Sequence, residues 1–411
     1  MPWALIFYIG AMNLVFFDPP HTESLRPLSF TRPLAAFRVG IFSIAEKWQQ
    51  HLTFSKSSFY TRPHLARKFQ LLVADNNLVL NGSVLPNNEL VSEIKNLKSG
   101  EGIYYGNTLV AALMDKDMLI RFCNAGKVEL LKRESKSDPS FILSLSNIFS
   151  LNDQELRNDF ELIKKNRSSQ KLSNSNILIG KEEDLFIEEG AVIEGSVINS
   201  KTGPVYLAAH SEVMENSSIR GPFALCEHSV LKMSSKIYGA TTIGPYSKIG
   251  GEVNNSVIFG FSNKAHDGFL GNSVIGEWCN LGADTNNSNL KNNYAEVKLW
   301  NYNSGRFEKT GLQFCGLIMA DHAKCGINTM FNTGTVVGVG SNVFGSGFPR
   351  NFIPDFSWGG AHGLEEYQLQ KVFEVAKLVF DRRGMNFDDK EKEILKFVFE
   401  ETAKYRAITQ T

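Results

Sequence analysis

A lysine, a histidine and an aspartate stand close together in the segment SNKAHDGFLG, residues 262–271. An imidazole titrates near neutral pH, so His266 could accept a proton from an amine or hydroxyl that attacks a thioester carbonyl. Acyl transfer of this kind also needs donors aimed at the developing oxyanion. The same residues allow a structural interpretation, in which His266 is a surface or corner residue, Lys264 a solvated charge and Asp267 a turn former.

The elements that would position these side chains are indicated by a six-residue repeat. Aliphatic residues recur at a constant step of six at Leu207, Val213, Ile219, Leu225, Leu231, Ile237, Ile243 and Ile249. Neither a helix nor a simple strand has this period, whereas short strands that turn a corner every six residues do. The spacing therefore predicts a parallel β-helix with about 18 residues in each coil.

The repeat changes phase twice after residue 250. Aliphatic or aromatic residues continue at Val257, Phe269, Ile275 and Leu281, with Asn263 in the aliphatic position, and then at Ile318, Met330 and Val336, with Lys324 as the exception. The polar and aromatic residues 287–311 between these two groups do not fit a coil. We expect them to form an arm, with a hairpin turn at NYNSGRF.

The remaining sequence predicts an α/β domain before the repeat and helices after it. FQLLVAD and NLVLNG are typical of buried strands, and NELVSEIKNL and NDQELRNDFELIKKN of helices. The predicted domains are 1–170 (α/β), 171–360 (β-helix with arm 287–311) and 361–411 (helical tail). The apolar residues 1–17 lack a basic leader and are too short for a membrane span, so NLVFFD is predicted as the first strand, with translation starting at Met1 or Met12.

Composition restricts the class of protein. The 411 residues contain 43 basic and 43 acidic side chains, a balance that argues against nucleic acid or an anionic membrane as a partner. The five cysteines have no spacing typical of a metal site, which favours free thiols in a reducing, cytoplasmic compartment and no bound metal.

The segment SNKAHDGFLGNSVIGEWCNLGADTNNSNLKNN resembles the acetyltransferase half of bifunctional sugar-nucleotide enzymes. These enzymes acetylate glucosamine-1-phosphate and join sugar-1-phosphates to UTP or dTTP. Their pattern is a histidine three residues before an aromatic-Leu-Gly, then Asn-x-Gly-Ala, then Asn-Leu-Arg/Lys. The resemblance implies that His266 is the general base, Asn280 a ligand of sugar or pantetheine, and Asn289 with Lys291 contacts to a sugar phosphate.

The same resemblance extends these expectations to the assembly and the co-substrate. It implies a left-handed β-helix, a homotrimer with clefts between subunits, and acetyl-CoA or another acyl-CoA as the acyl donor. Lys264 is a further candidate for substrate binding.

The amino-terminal region is similar to a sugar-1-phosphate nucleotidyltransferase domain in part of its signature. PLSFTRPL, residues 27–34, matches the Pro-Leu-Thr-x-x-x-Pro-Lys portion, although Leu34 replaces the lysine. PPHTES stands where a glycine-rich phosphate loop is expected, and Ser83 replaces the aspartate that holds a metal. The resemblance implies UTP or dTTP as substrate with Mg²⁺, and the candidates for phosphate contacts are Arg26, Arg32, Arg38 and Lys47.

Three functions fit the sequence. The first is an acyl-CoA-dependent acyltransferase, acting on an amino-sugar phosphate or sugar nucleotide and fused to a divergent nucleotidyltransferase domain. The second is a nucleotidyltransferase whose β-helix is structural or allosteric. The third is a non-catalytic trimeric regulator that binds sugar nucleotides.

Overall fold

The computed structural model describes residues 12–126 and 128–407. The question of whether the protein starts at Met1 or Met12 concerns residues 1–11, which lie outside the described residues. The chain forms two compact units. One contains the residues up to Thr22, Arg32–Phe37 and Ser43–Leu143, and the other contains Glu23–Thr31, Arg38–Phe42 and Ser144–Thr411.

The first unit is built on a six-stranded mixed sheet. Its strands are Met12–Phe17, Lys56–Tyr60, Asn76–Asn81, Glu101–Tyr105, Thr108–Asp115 and Leu131–Glu134, and its helices are Ile44–His51, Asn88–Lys95 and Lys116–Ala125. The predicted strands in NLVFFD and NLVLNG and the predicted helix in NELVSEIKNL are therefore confirmed. The first strand pairs in parallel with the second and the third, one on each side.

The predicted strand in FQLLVAD is wrong. This segment runs beside the edge strand Lys56–Tyr60, where the Phe59 N–H donates to the Gln70 carbonyl over 3.1 Å. The Leu72 carbonyl accepts from a side chain, the Asn13 amide, at 2.6 Å. Leu72 and Val73 also remain 38% and 43% exposed. The segment has the apolar composition of a strand without its regular backbone pairing.

Three parallel sheets form the β-helix of the second unit. Face 1 contains Ile177–Ile179, Val197–Asn199, Ser218–Arg220, Lys236–Tyr238, Glu252–Asn254 and Phe269–Gly271. Face 2 contains Leu185–Ile187, Val205–Leu207, Phe223–Leu225, Thr241–Ile243, Val257–Gly260, Val274–Glu277, Ile318–Met319, Val336–Val337 and Phe352–Ile353. Face 3 contains Val192–Ile193, Glu212–Val213, Val230–Leu231, Lys248–Ile249, Asn263–Lys264, Asn280–Leu281, Lys324–Cys325, Asn342–Val343 and Ser357–Gly360, with Gly363–Glu366 antiparallel at its end.

The core of this β-helix is the predicted row of aliphatic residues. All eight members from Leu207 to Ile249 are at most 2% exposed and pack in one cluster. In the two later rows, in contrast, the inward residue at most positions is the one that follows the predicted residue. The inward side chains are Ile258, Lys264, Leu270, Met319, Cys325, Phe331 and Val337.

The shift has a simple cause, which is that the coils change length. Ile243 pairs with Leu225 in the preceding coil and with Ile258 in the next, and Ile258 pairs in turn with Ile275. The coils that begin at Ile243 and at Ile258 are therefore both shorter than those before them. A strict count of six backwards from Ile275 gives Val257 and Phe269 as inward, one residue too early. The residue that interrupts the inward aliphatic row is consequently Lys264 rather than Asn263. Lys324 faces outward, and its neighbour Cys325 takes the inward position.

The corner between face 2 and face 3 carries a ladder of stacked rings. Its members are His210, His228, Tyr246, Phe261, Trp278 and His322, all with positive φ between 51° and 62°. Neighbouring ring centroids lie 4.4 to 6.4 Å apart. A left-handed backbone is unfavourable for residues other than glycine, and stacking of each ring on the next offsets part of that cost.

A helix that precedes the β-helix in sequence belongs to the same unit. Asn152–Asn166, the predicted helix NDQELRNDFELIKKN, packs Leu156 and Phe160 against Phe186 and Ala224. This packing places residues 144–170 with the β-helix rather than with the first unit, so the compact units differ from the expected boundary at residue 170.

The carboxyl-terminal segments form the arm and the tail. Lys298–Asn301 and Arg306–Lys309 pair as the predicted antiparallel hairpin, and Asn286–Asn287 pairs with Met330–Phe331. The tail consists of the helices Leu369–Asp381, Asp389–Glu401 and Ala403–Ala407. Among the described residues, no helix has the length and apolar character needed to cross a membrane. The fold class predicted from the sequence, an α/β domain joined to a left-handed β-helix with a short helical tail, is confirmed.

Candidate functional site

Lys264 replaces an aliphatic residue in the core of the β-helix. It pairs with Ile249 in the preceding coil, and its neighbour Asn263 pairs with Asn280 in the next. The side chain is 2% exposed, and its ammonium donates to the carbonyl oxygens of Gly250 at 3.0 Å and His266 at 2.9 Å. Neither the solvated charge nor the substrate contact suggested by the sequence fits this burial.

The environment of Lys264 disfavours its charged form. Burial lowers the pKa of the ammonium to about 8, although the charges of Asp267, Asp284 and Cys325 act in the opposite direction. Because a neutral amine retains two N–H groups, it can still donate to both carbonyl oxygens. Lys264 therefore ties the corner that carries His266 to the preceding coil.

His266 lies at the corner between face 3 and face 1 and is exposed. In the next coil, Asp284 occupies the equivalent corner, where its N–H donates to the Asp267 carbonyl oxygen over 3.0 Å. The imidazole is thus attached to a fixed turn but is open to solvent, as a proton acceptor for an external substrate must be.

The two candidate asparagines lie on different faces. Asn280 is exposed on face 3, whereas Asn289 follows the coil segment beside face 1 and donates to the Asn272 side chain over 2.8 Å. Lys291 donates to the Glu296 carbonyl oxygen at 3.2 Å, within the arm. His266 stands at the corner between these faces, so the chain places the candidates on two surfaces that meet near the imidazole.

In the first unit, a carboxylate that the sequence did not single out lies at the carboxyl end of the first strand. Asp18 follows Met12–Phe17, and it accepts from the Leu34 N–H at 2.8 Å and from the Thr61 hydroxyl. The Arg62 guanidinium lies 3.6 Å from the same carboxylate. Because neighbouring strands pair on both sides of the first strand, Asp18 stands where the order of strands reverses, the usual ligand position in α/β sheets.

The pKa of Asp18 is raised, since burial of the carboxyl outweighs the opposing effects of Arg62 and of the hydrogen bonds from Thr61 and Leu34. The pKa of the neighbouring His21 is lowered, mainly by burial. Nothing in the sequence near PPHTES indicated this cluster, because the glycine-rich pattern that marks such a loop is absent and the residues form a 3₁₀ helix, Pro20–Leu25.

The four cations proposed for phosphate contacts are largely buried. Arg26 pairs with Glu23 at 3.6 Å and Glu401 at 3.8 Å, and the Arg38 guanidinium donates to the Ile41 carbonyl oxygen, all within the β-helix unit. Arg32 and Lys47 belong to the first unit and are 6% and 0% exposed. The contacts of Arg26 and Arg38 are structural, and the role of all four in binding phosphate stays a prediction.

The residues present do not form a metal cage. Within residues 12–126 and 128–407, no group of three or more His, Cys, Asp or Glu side chains is arranged to hold an ion. Ser83 is fully buried, and its hydroxyl donates to the Asn81 side chain at 2.7 Å. A serine hydroxyl cannot replace the aspartate expected to hold Mg²⁺, whereas Mg²⁺ needs only one or two protein carboxylates beside substrate phosphates. The use of Mg²⁺ therefore stays a prediction. The five cysteines are free thiols.

Comparison with known proteins by sequence gives two matches. Residues 14–168 match the family model described as sugar nucleotidyl transferase. The chain is also 30% identical over 155 residues to the bifunctional protein GlmU of Methanocaldococcus jannaschii, a match that covers 37% of this chain and 35% of that protein. The chain thus spans about a third of the length of this curated relative.

Solved structures with related architecture are more distant. The UDP-N-acetylglucosamine acyltransferase from Campylobacter jejuni is 14% identical, with 59% of this chain and 85% of that chain covered and a TM-score of 0.32. AntD, an N-acyltransferase from Bacillus cereus, is 12% identical, with 48% and 90% covered and a TM-score of 0.23. TM-scores this low support no argument about function. Residues 14–168 are thus similar to the sugar nucleotidyl transferase family, the one suspected from the sequence, and the chain continues from them into the β-helix.

Proposed function

We propose that the protein is a transferase of sugar-nucleotide metabolism whose β-helix transfers an acyl group from acyl-CoA to an amino-sugar phosphate or sugar nucleotide. The observation that carries this proposal is the exposed His266 on a corner that a buried lysine holds in place. A core lysine in a row of aliphatic side chains is costly, and a broken local rule of this kind is typical of a functional site.

The reaction uses His266 as general base. The imidazole takes the proton from the acceptor amine or hydroxyl as its nitrogen or oxygen attacks the thioester carbonyl. The new C–N or C–O bond forms, the C–S bond breaks, and the proton passes to the leaving thiolate. Asn280 and Asn289 orient the acceptor by hydrogen bonds.

The separation of the two asparagines supports a homotrimer. Asn280 and Asn289 project from different faces of one chain, and a cleft between adjacent subunits would let one acceptor contact an asparagine from each. Three β-helices around one axis provide such boundaries and leave no open interface. A monomer mass by light scattering at micromolar concentration would contradict this arrangement. The five free thiols favour a cytoplasmic location.

The first unit is proposed to bind a sugar-1-phosphate or a nucleotide such as UTP or dTTP, with nucleotidyl transfer weak or strongly altered. The family match supports the ligand class, and the missing glycine loop and Ser83 support the altered chemistry. If sugar nucleotides form rapidly with Mg²⁺ while thiol release from acyl-CoA is absent, the β-helix is structural and the second function that the sequence allows is correct.

The test is acyl transfer by His266→Ala, with thiol release from acetyl-CoA measured against a panel of amino-sugar phosphates and UDP-amino sugars. Loss of a general base typically lowers kcat by about 10²–10⁴-fold with little effect on substrate binding. We expect that loss without a change in melting temperature or in oligomer mass. Ile327→Ala, at the exposed position that corresponds to His266 two coils along the β-helix, is the matched control. A His266→Ala protein that keeps most of the parent activity would refute the assignment.

A further inference from the structure

A cleft with a strongly basic lining lies between face 3 of the β-helix and the end of the first tail helix. Its volume is about 480 Å³, within the size range of small-molecule sites. The lining residues are Lys248, Phe261, Asn263, Ala265, Trp278, Cys279, Asn280, Lys324, Val379, Arg382 and Arg383. No Asp or Glu is among these described residues, so four cations share the cleft without a lining carboxylate.

The walls of the cleft are fixed by packing and hydrogen bonds. Trp278 stacks between Phe261 and Phe380, with ring centroids 4.4 and 3.9 Å apart. The Arg383 guanidinium donates to the Tyr246 carbonyl oxygen and, at 3.2 Å, to the Asn263 side chain. The tail helix is therefore attached to the β-helix at this place, and the cleft is part of the folded unit.

Two of the four cations are destabilised in their charged form. The pKa of Arg383 is lowered by burial and by the charge of Arg382. Burial lowers the pKa of Lys324 to about 8, and its ammonium donates to the His322 carbonyl oxygen at 3.0 Å. A multivalent anion would stabilise the charged forms of both side chains and would be attracted by all four charges.

The spacing of the charges indicates the size of that anion. Lys248, Asn263, Asn280 and Lys324 occupy equivalent outward positions on consecutive strands of face 3. At about 4.8 Å between neighbouring strands, the backbones of the two lysines are ~14 Å apart, so the row of outward positions is long enough for a ligand with more than one phosphate group. Since Phe261 and Phe380 cover both faces of the Trp278 ring, stacking on a nucleobase is not available there.

We propose that this cleft binds the diphosphate group of a nucleotide-derived ligand. Lys324 and the arginines contact the phosphate oxygens, Asn280 and Asn263 contact neutral oxygens of the ligand, and Lys248 contacts a further charge at the far end. Coenzyme A and nucleotide sugars both carry a diphosphate, and both belong to the chemistry proposed above. The inference concerns binding alone and does not require that His266 be a catalytic base.

The experiment is titration calorimetry of the full chain with coenzyme A, UDP-N-acetylglucosamine and inorganic pyrophosphate. The variant is Lys248→Gln/Arg382→Gln, which removes two exposed cations whose side chains make no hydrogen bond or ion pair with the described residues. The matched control is Lys201→Gln/Arg220→Gln, which removes the same charge from exposed positions of the β-helix outside the cleft.

We expect at least one diphosphate probe to bind the parent protein, with an affinity that falls as salt is added. The cleft variant should bind it at least 10-fold more weakly than the control variant, with an unchanged melting temperature. Preferential binding of coenzyme A would identify the cleft as an acyl-donor site, and preferential binding of the UDP-sugar would identify it as a nucleotide-sugar site. Equal affinities in the two double variants, or no binding of any probe at about 1 mM, would overturn the proposal.

Discussion

The ammonium of Lys264 donates a hydrogen bond of 2.9 Å to the carbonyl oxygen of His266. A second bond of 3.0 Å to Gly250 links the same ammonium to the preceding coil. The lysine thus occupies a core position but acts on a surface corner. This relationship explains in physical terms why a charged residue interrupts an aliphatic row next to a candidate catalytic histidine.

Lys264→Met should separate positioning from folding. Methionine has a similar length and no charge, so it can fill the core position without the cost of burying an ammonium. The carbonyl of His266 loses its donor, and the corner should loosen. We expect kcat for acyl transfer to fall by about 10-fold with little change in KM, because positioning errors affect the chemical step. Lys201→Met is the control; an unchanged kcat in Lys264→Met would exclude a positioning role.

The pH dependence of stability should also change in Lys264→Met. The pKa of Lys264 is lowered to about 8 in the folded protein from an ordinary value of 10.5. Between these pH values the unfolded chain binds more protons, so this lysine makes the folded state more stable as pH rises.

Denaturant titrations at several pH values measure this effect. From pH 8 to pH 10, the parent should gain stability relative to Lys264→Met, with a limiting slope of about 1.4 kcal/mol per pH unit. The difference in unfolding free energy between the two proteins removes the contribution of the cysteines, whose raised pKa values make the folded state less stable as pH rises. Parallel stability curves would show that the folded-state pKa of Lys264 is not lowered.

Asp18→Asn tests the candidate site of the first unit. An amide keeps an acceptor for the Leu34 N–H but cannot form an ion pair with the Arg62 guanidinium. A metal site that uses the carboxylate, or a phosphate site that uses Arg62 as Asp18 positions it, would therefore fail. We expect any nucleotidyl transfer from UTP or dTTP to fall by at least 10-fold, while acyl transfer is retained. Asp75→Asn, an exposed residue before the strand Asn76–Asn81, is the matched control. Equal pyrophosphate release by the two variants would exclude a role for Asp18.

Ile243→Ala tests the core of the β-helix. Ile243 is 0% exposed and pairs with Leu225 and Ile258, so truncation leaves a cavity between three coils. The free energy of unfolding should fall by about 2–5 kcal/mol. Ile177→Ala, at a position 59% exposed in the first coil, should cost far less. Similar losses of unfolding free energy in both variants would show that Ile243 contributes no more to stability than an exposed residue of the β-helix.

The sequence predicted those features that depend on a local period. Eight aliphatic residues at a step of six identified the β-helix and its inward row, because the coils from Leu207 to Ile243 are all of one length. The register after Ile249 was not predictable in the same way, since two shorter coils of unequal length break the count. Lys264 was consequently assigned to the surface, although its neighbour Asn263 is the outward residue.

The candidate sites were predictable only in part. His266 was identified by residue type and by the pattern around it, and it is exposed as expected. Asp18 was missed because its environment depends on Thr61 and Arg62, which are distant in sequence. The basic cleft was missed for the same reason, because Lys248 and Lys324 are brought into line only by the stacking of coils, and Arg382 belongs to the tail.

The ladder of rings at one corner makes successive coils interchangeable. His210, His228 and Tyr246 are evenly spaced along the chain, one coil apart, and present the same surface to the coil on either side. A gene that duplicated or deleted one such unit would still encode a solenoid whose rings and aliphatic rows meet in register, because each coil interacts mainly with its neighbours. The number of coils is therefore free to change in evolution, and the spacing between the two ends of the β-helix can be adjusted in steps of one strand separation.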